Sequence, residues 1–368
     1  MLMPDDLIPL GRRQPRSEKV HGRRRRKAFL SRRAKRVLVE VAVLVGVLAC
    51  VAGAAVAFVA NTVANNVERL GDPFAALPSR PPEATVGPDQ HEPLNILVMG
   101  LDTESAREPA QWAKGAQHTD AIMIVHVPAE RRSLTVMSIP RDSRVDIPGY
   151  GEGEISMAFA RGGPGLLVHT VENLTGVRID HMAISDFESF ARITDVLGGV
   201  TIEIPETTYD SRRRMTIAAG TYTMGGQEAL GYVRQRQGLP GGDLDRVQRQ
   251  QNLIRSLARQ TLQEGKLENP VELTRVLLAV SESITVDDAF TLTKMRQLAQ
   301  SLASAGGARD IAFFTAPVLG QQTGDDGQPI DLDADRLAAV SAAIASDEIG
   351  TFLAENPDYL ETLGERVD

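Results

Sequence analysis

A chain of 368 residues with 42% hydrophobic content can bury a sizeable core, which excludes a disordered polymer and leaves room for one large or two smaller domains. The formal net charge of −8 hides an asymmetry: residues 1–36 hold 13 Lys/Arg against Asp5, Asp6 and Glu18, so a basic arm precedes an acidic body. Cys50 is the only cysteine, which excludes an intrachain disulfide.

In chain order, the basic tail 1–36 contains Arg23 to Lys27 as five consecutive cations and the pair Arg32-Arg33. Val41 to Ala60 is uncharged and long enough to cross the hydrocarbon core as a helix, so residues 37–60 are expected to form one transmembrane helix. Cations before such a span place the N-terminus in the cytoplasm and everything after residue 60 outside the cell membrane. A cleaved signal peptide fits less well, because 36 charged residues make a long lead and Thr62-Val63-Ala64 is a weak cleavage site. With Cys50 inside the span, the exported body has neither a catalytic thiol nor a cysteine zinc site.

Residues 61–93 carry six prolines with little apolar periodicity and are expected to be a Pro-rich linker. The fold proper is expected at 94–320, beginning with the apolar run Leu94 to Gly100. Further strands are predicted at Ala121 to Val127, Ser133 to Ile139, Ile179 to Ser185, Val200 to Ile204 and Asp310 to Thr315. Helices are predicted at Gly165 to Leu174, Asp186 to Leu197, 226–234, 243–264, 270–282 and 287–304. Strands alternating with helices predict a layered α/β/α domain around one mixed sheet. Residues 321–368 read as a C-terminal loop with short helices. His126, His169 and His181 have no metal-ligand spacing among them and read as structural.

The chemistry concentrates in Tyr232-Val233-Arg234-Gln235-Arg236, then Gly242-Asp243-Leu244-Asp245-Arg246, then Arg249-Gln250-Gln251. On an extended segment Arg234 and Arg236 would point to one side. On a helix opened by Asp243, the residues Asp243, Arg246, Gln250, Ile254 and Leu257 share an arc of about 80° at 100° per residue, polar at its start and apolar further on. Such a stripe suits a cleft that grips phosphate, and it equally suits an ion-pair network at a helix entrance. Upstream, Asp102 follows the first strand, Asp120 precedes the second and Arg141 follows the third, where ligand-binding loops gather in α/β sheets. Paired carboxylates with arginines nearby suit Mg²⁺ bridged to a phosphate.

Taken in order, these segments resemble the LytR-CpsA-Psr family of bacterial cell-wall proteins. The resemblance rests on Asn95 to Asp102, Thr119-Asp120, Ser138-Ile139-Pro140-Arg141-Asp142, Gly162-Gly163, Ile179-Asp180-His181, Leu197 to Val200 and the arginine segment. It implies an extracytoplasmic, Mg²⁺-dependent phosphotransferase that moves a glycopolymer from a polyprenyl-pyrophosphate carrier to peptidoglycan, without nucleic acid as a partner. It also implies that Asp102 and Asp120 hold the metal, that Arg141, Arg234, Arg236 and Arg246 hold the pyrophosphate, and that Asp243 and Gln250 complete the site. The chain departs from the family pattern at His118 and Glu154, where the family usually has arginine and lysine. Two other activities would use the same residues: hydrolysis of a polyprenyl pyrophosphate, and binding of lipid or glycan without turnover.

Overall fold

The computed structural model describes residues 62, 66–84, 91–101, 119–211, 214–235, 238–263, 270–305, 311–320, 329–360 and 362–364. The tail and the expected span lie outside these residues, and among the described residues no helix is long and apolar enough to cross a membrane.

Thirteen strands are described: β1 Glu68–Arg69, β2 Leu94–Leu101, β3 Thr119–Val127, β4 Leu134–Ile139, β5 Arg144–Ile147, β6 Gly151–Glu154, β7 His181–Asp186, β8 Val200–Ile204, β9 Thr208–Asp210, β10 Met215–Ile217, β11 Gly220–Met224, β12 Ile284–Val286 and β13 Ile311–Thr315. The described helices are α1 Ser156–Thr175, α2 Phe187–Val196, α3 Gly226–Val233, α4 Asp243–Gln263, α5 Pro270–Ser281, α6 Leu292–Ala305, α7 Ala334–Ala345 and α8 Ile349–Glu355. Seven strands form one mixed sheet in the order β1-β12-β7-β2-β3-β4-β13. Within it β2 runs parallel to β7 and antiparallel to β3, while β13 runs parallel to β4.

Apolar runs become central strands here because both faces are covered. Leu97, Met99 and Leu101 of β2 face one way and join Phe159, Leu167 and Val171 of α1 and Val340 of α7 in the largest core cluster. Ile96 and Val98 face the other way, toward Met295 and Leu298 of α6. Full burial of each such side chain is worth about 1.5–3 kcal/mol. The fold is therefore mixed α/β with helices on both faces of a mixed sheet.

Three expectations change. The stretch expected to be a spacer contributes to the domain: β1 pairs with β12, and Leu70, Phe74 and Leu77 pack on the main core. Its apolar residues are too sparse to show a period, but they are the ones that touch the body. Arg80 secures the same strap, its Nη2 donating to Glu172 Oε1 at 2.7 Å and to the Ile179 carbonyl. At the other end the core continues past residue 320, since Leu337, Val340, Ile344, Ile349 and Leu360 belong to it. The helix expected from Gly165 starts earlier, at Ser156, with a kink at Gly163 (φ 65°, ψ −158°) before Pro164. Only glycine adopts that conformation readily, and the break hides the first half from a periodicity reading.

Candidate active site

The register brings several strand ends to one edge of the sheet. Leu101 pairs with both Thr119 and Asp186, Ile139 with Ile122, and Ser138 with Thr315, so the C-terminal ends of β2, β4, β7 and β13 meet the N-terminal end of β3. Between β2 and β3 the register shifts: Gly100 faces Ala121 and Leu101 faces Thr119, leaving Asp120 as the extra residue of a bulge. Gly100 permits this approach, because a Cβ there would stand 3.2 Å from that of Ala121. A bulge frees its residue from the ladder, and Asp120 is buried at this edge.

The second half of the site comes from α4. Gly242, at φ 60°, turns the chain into the helix, and the Gly241 amide donates to Asp245 Oδ2 at 2.6 Å. The polar start of the α4 stripe then faces inward, and Asp243, Arg246 and Gln250 are all 5% exposed or less. Arg141 donates from Nη1 to Asp120 Oδ1. Arg246 Nη1 lies 3.5 Å from the same oxygen, and its Nη2 lies 2.7 Å from Asp243 Oδ1. Burial alone would lower the Arg141 pKa, but the charges of Asp120, Asp142 and Asp243 outweigh it and hold the group above the ordinary arginine value. The guanidinium groups are thus positive, interleaved with carboxylates, and largely dry.

Pairing here is close but incomplete. The Arg141 Nε stands 3.1 Å from Asp142 Oδ1 yet is misaligned for a hydrogen bond, as is Arg246 Nη2 toward Asp243. Thr119 Oγ1, Asp243 Oδ2, Arg246 Nε and both amide atoms of Gln250 are buried without a hydrogen-bond partner among the described residues. Leaving such atoms unmet costs about 1–3 kcal/mol each, so their concentration at one place points to a polar ligand.

Beside these atoms is an apolar cavity of about 120 Å³, lined by Val98, Gly100, Ala121, Met123, Asp186, Phe190, Val233, Leu253 and Ile254, with Gln250 at its wall. Gln250 is therefore shared between the charged cluster and the hydrocarbon-lined space. Leu257, the last residue of the stripe, packs in the cluster built on Val200, Ile202 and Leu230.

Among the described residues no group of three or more His, Cys, Asp and Glu could hold a metal ion. The donors still suit Mg²⁺, which is commonly held by one or two carboxylates with the rest of its shell from water and phosphate. Asp120 supplies one carboxylate at this edge, and Asp102, the expected second, lies outside the described residues.

Of the expected site residues, the structure gathers Asp120, Arg141, Asp243, Arg246 and Gln250. Asp102, which directly follows Leu101, lies outside the described residues, as do Arg236 and His118. Arg234 closes the helix predicted over 226–234: it caps α3 at φ −92° and ψ −7°, its amide donating to the Leu230 carbonyl at 3.0 Å. The alternation that an extended segment would give does not apply at Arg234, because the predicted helix runs up to it. The following Gln235 is fully buried and accepts from Arg249 Nη1 at 2.8 Å, while Arg249 stacks over Tyr232. Glu154 ends β6, opposite Arg144.

Three contributors were not visible in the sequence. Asp186, buried at the site edge, shows only as a helix N-cap, accepting from the Ser189 amide at 2.5 Å. Phe190 and Leu253 line the cavity, but at helical spacing they read as ordinary core.

Known proteins are similar to this chain in sequence and fold. "Cell wall biosynthesis protein LcpA" of Corynebacterium glutamicum is 33% identical over 274 residues, 64% of this chain and 52% of its own length, so the chain spans about half of that relative. "Polyisoprenyl-teichoic acid--peptidoglycan teichoic acid transferase TagU" of Bacillus licheniformis is 28% identical over 268 residues, covering 71% of this chain and 82% of its own. A solved "LytR-Csp2A-Psr enzyme from Actinomyces oris" shares the fold with a TM-score of 0.60 at 22% identity, over 76% of this chain and 97% of that one. The LytR_cpsA_psr family model matches residues 61–344, a span that takes in the β1 strap, the charged edge and α7, and the chain belongs to that family.

Proposed function

We propose that the protein is a membrane-anchored, Mg²⁺-dependent phosphotransferase that moves a glycopolymer from a polyprenyl-pyrophosphate carrier to peptidoglycan. One observation carries the reading: the unmet amide of Gln250 stands where a cluster of arginines and aspartates meets an apolar cavity, the layout required by a phosphate head followed by a lipid tail. The names of the relatives, a cell-wall biosynthesis protein and a teichoic acid transferase, support the same reaction class. The basic tail 1–36 would stay in the cytoplasm, residues 37–60 would span the membrane, and the domain would work outside it.

The reaction needs positioning and charge neutralisation more than a covalent nucleophile. Arg141 and Arg246, with Arg234 and Arg236, bind the pyrophosphate oxygens. A sugar hydroxyl of the acceptor attacks the phosphorus next to the glycan; the new O–P bond forms as the bond to the bridging oxygen breaks, and polyprenyl phosphate leaves. The hydroxyl proton passes to a carboxylate, for which the unmet Oδ2 of Asp243 is suited. Asp102 and Asp120 would hold Mg²⁺, which would supply positive charge against the phosphates. The apolar cavity receives the lipid next to the pyrophosphate and keeps water from that side.

The test is to incubate the full-length protein with a polyprenyl-pyrophosphate oligosaccharide, Mg²⁺ and peptidoglycan. Covalent transfer is expected, with loss of turnover and retention of fold in Arg234→Ala and Asp102→Ala. Phosphate release without acceptor would assign a pyrophosphatase instead. Binding without turnover, the outcome favoured by the departures at His118 and Glu154, would assign a lipid or glycan binder.

A further inference from the structure

On the same sheet edge as the charged cluster, one strand further out, lies a second and larger cleft of about 420 Å³. It falls within the ~300–1,000 Å³ typical of small-molecule sites. Leu244 and Gln248 of α4 form one wall, Thr315 at the end of β13 and Pro317 after it form the floor, and Thr362 and Arg336 close the far side. Its position follows from register: Ser138, three residues before Arg141, pairs with Thr315, and Gln251 ties the two by donating from Nε2 to Ser138 Oγ at 2.8 Å and to Thr315 Oγ1 at 3.3 Å. On α4 the residues facing this cleft lie roughly a third of a turn around the helix from the stripe of Asp243, Arg246 and Gln250.

The walls are held in place. Arg255 donates from Nη1 to the carbonyls of Leu363 and Gly364, and the Leu363 amide donates to the Phe313 carbonyl at 2.8 Å. The chemistry differs from that of the charged cluster. Amides and hydroxyls alternate with aliphatic side chains, which suits a sugar ring with hydroxyls at its rim and C–H groups on its faces. Among the described residues the lining has a single cation, Arg336, too few for a pyrophosphate. Arg336 makes a stacking contact over the Tyr359 ring at 5.0 Å, but no carboxylate among the described residues pairs with it. A guanidinium without a carboxylate partner among the described residues, set in a concave wall, fits one ligand carboxylate, which it can bind through two parallel N–H donors.

We propose that this cleft binds the acceptor, a saccharide unit bearing one carboxylate, and presents its hydroxyl toward the Arg141 end of the charged cluster. The inference rests on the transfer reaction proposed above for the role of the ligand, and on the cleft alone for its chemistry.

Binding to the full-length protein is measured by calorimetry or saturation-transfer NMR, with N-acetylglucosaminyl-N-acetylmuramic acid as probe and neutral chitobiose as control. The acidic disaccharide is expected to bind at least about tenfold tighter than chitobiose, the order of one charge-assisted contact. Arg336→Gln removes that preference, Gln248→Trp fills the cleft and abolishes binding of both sugars, and Arg234→Ala leaves both intact. Gln248→Met, which removes the amide without adding bulk, weakens binding several-fold and serves if the tryptophan variant does not fold. No binding to the wild type, equal affinity for the two sugars, or binding indifferent to both Gln248 variants overturns the proposal. A protein that binds the acidic disaccharide but transfers nothing keeps the cleft and loses the reaction. One that transfers at full rate with the cleft filled keeps the reaction and loses the cleft.

Discussion

The two ends of the central sheet bury charge in opposite ways. At the end away from the site, Asp287 accepts from the amides of Met182 and Phe290 at 2.9 Å each and faces His181, which stacks on Phe290. Nearby, Glu172 is bound by Arg80 and by the Ile179 amide at 2.9 Å, and His126 sits between Asn95 Oδ1 and Asp347 Oδ1 at 2.8 and 2.9 Å. At the site end, guanidinium and carboxylate groups are equally buried and equally close, but several are misaligned and several atoms are unmet. Burial of charge is therefore no signature of function in this protein. Concentration of incompletely satisfied charge is, because the far end leaves only isolated atoms such as Arg131 Nε unmet, whereas the site gathers several hydrogen bonds that a ligand would complete.

That contrast can be broken most forcefully at Asp287. Asp287→Ala removes the acceptor of two amides and the partner of His181, and is expected to lower stability by about 3–5 kcal/mol in urea unfolding, while transfer per folded molecule persists. Asp243→Asn should do the reverse: stability changes by less than about 1 kcal/mol, and transfer falls by about 100-fold or more. If Asp243→Asn unfolds the protein as Asp287→Ala does, the two ends are alike and the contrast is lost.

A smaller effect is expected from acid. Burial alone would raise the Asp287 pKa, but the hydrogen bond and charge of His181 and the two backbone amides outweigh it and hold the carboxyl below its ordinary value. A depressed folded-state pKa contributes stability that is present above the unfolded value of about 3.9 and is lost as pH falls through the folded one. Asp180 has the opposite sign: burial is its largest influence and raises its pKa, so its carboxylate weakens the fold as pH rises past the unfolded value. Stability measured from pH 5 down to pH 2 should fall less steeply in Asp287→Asn than in the wild type. An identical slope would show that the satisfied end carries no proton linkage.

The smallest expected effect is at Gln250. Replacing its unmet amide with the similarly sized side chain of Gln250→Met should raise the urea midpoint by the equivalent of about 1 kcal/mol or less, while donor affinity drops. A stability loss there would mean that the amide is already satisfied within the fold.

Much of the architecture was legible because β2, β3 and β4 are apolar runs bounded by turn residues, and because α4 carries a strong amphipathic stripe with acids in its first turn. Its predicted span of 243–264 and the observed Asp243–Gln263 differ by one residue. Short strands escaped because β1 has only two residues and β12 only three, too few to show a period. Within the site, Asp120 and Arg141 were legible as polar residues at strand boundaries. The bulge that frees Asp120 was not, since it depends on which residue of β2 faces which residue of β3. Arg234 is legible as the end of the helix predicted over 226–234, and α3 stops at Val233 with Arg234 as its cap. The acceptor cleft had no sequence signal, for its walls come from α4, β13 and the chain after α8, joined only by tertiary contact.

The strap across residues 66–84 bears on how the protein can be cut. A fragment begun at Leu94, where the first long strand starts, would strip β12 of its outer neighbour and bare a pairing edge next to β7. It would also leave Glu172 without Arg80 and uncover the part of the core now roofed by Phe74 and Leu77. Soluble versions should therefore begin upstream of Asn66, and those begun at residue 94 should self-associate through the bared strand.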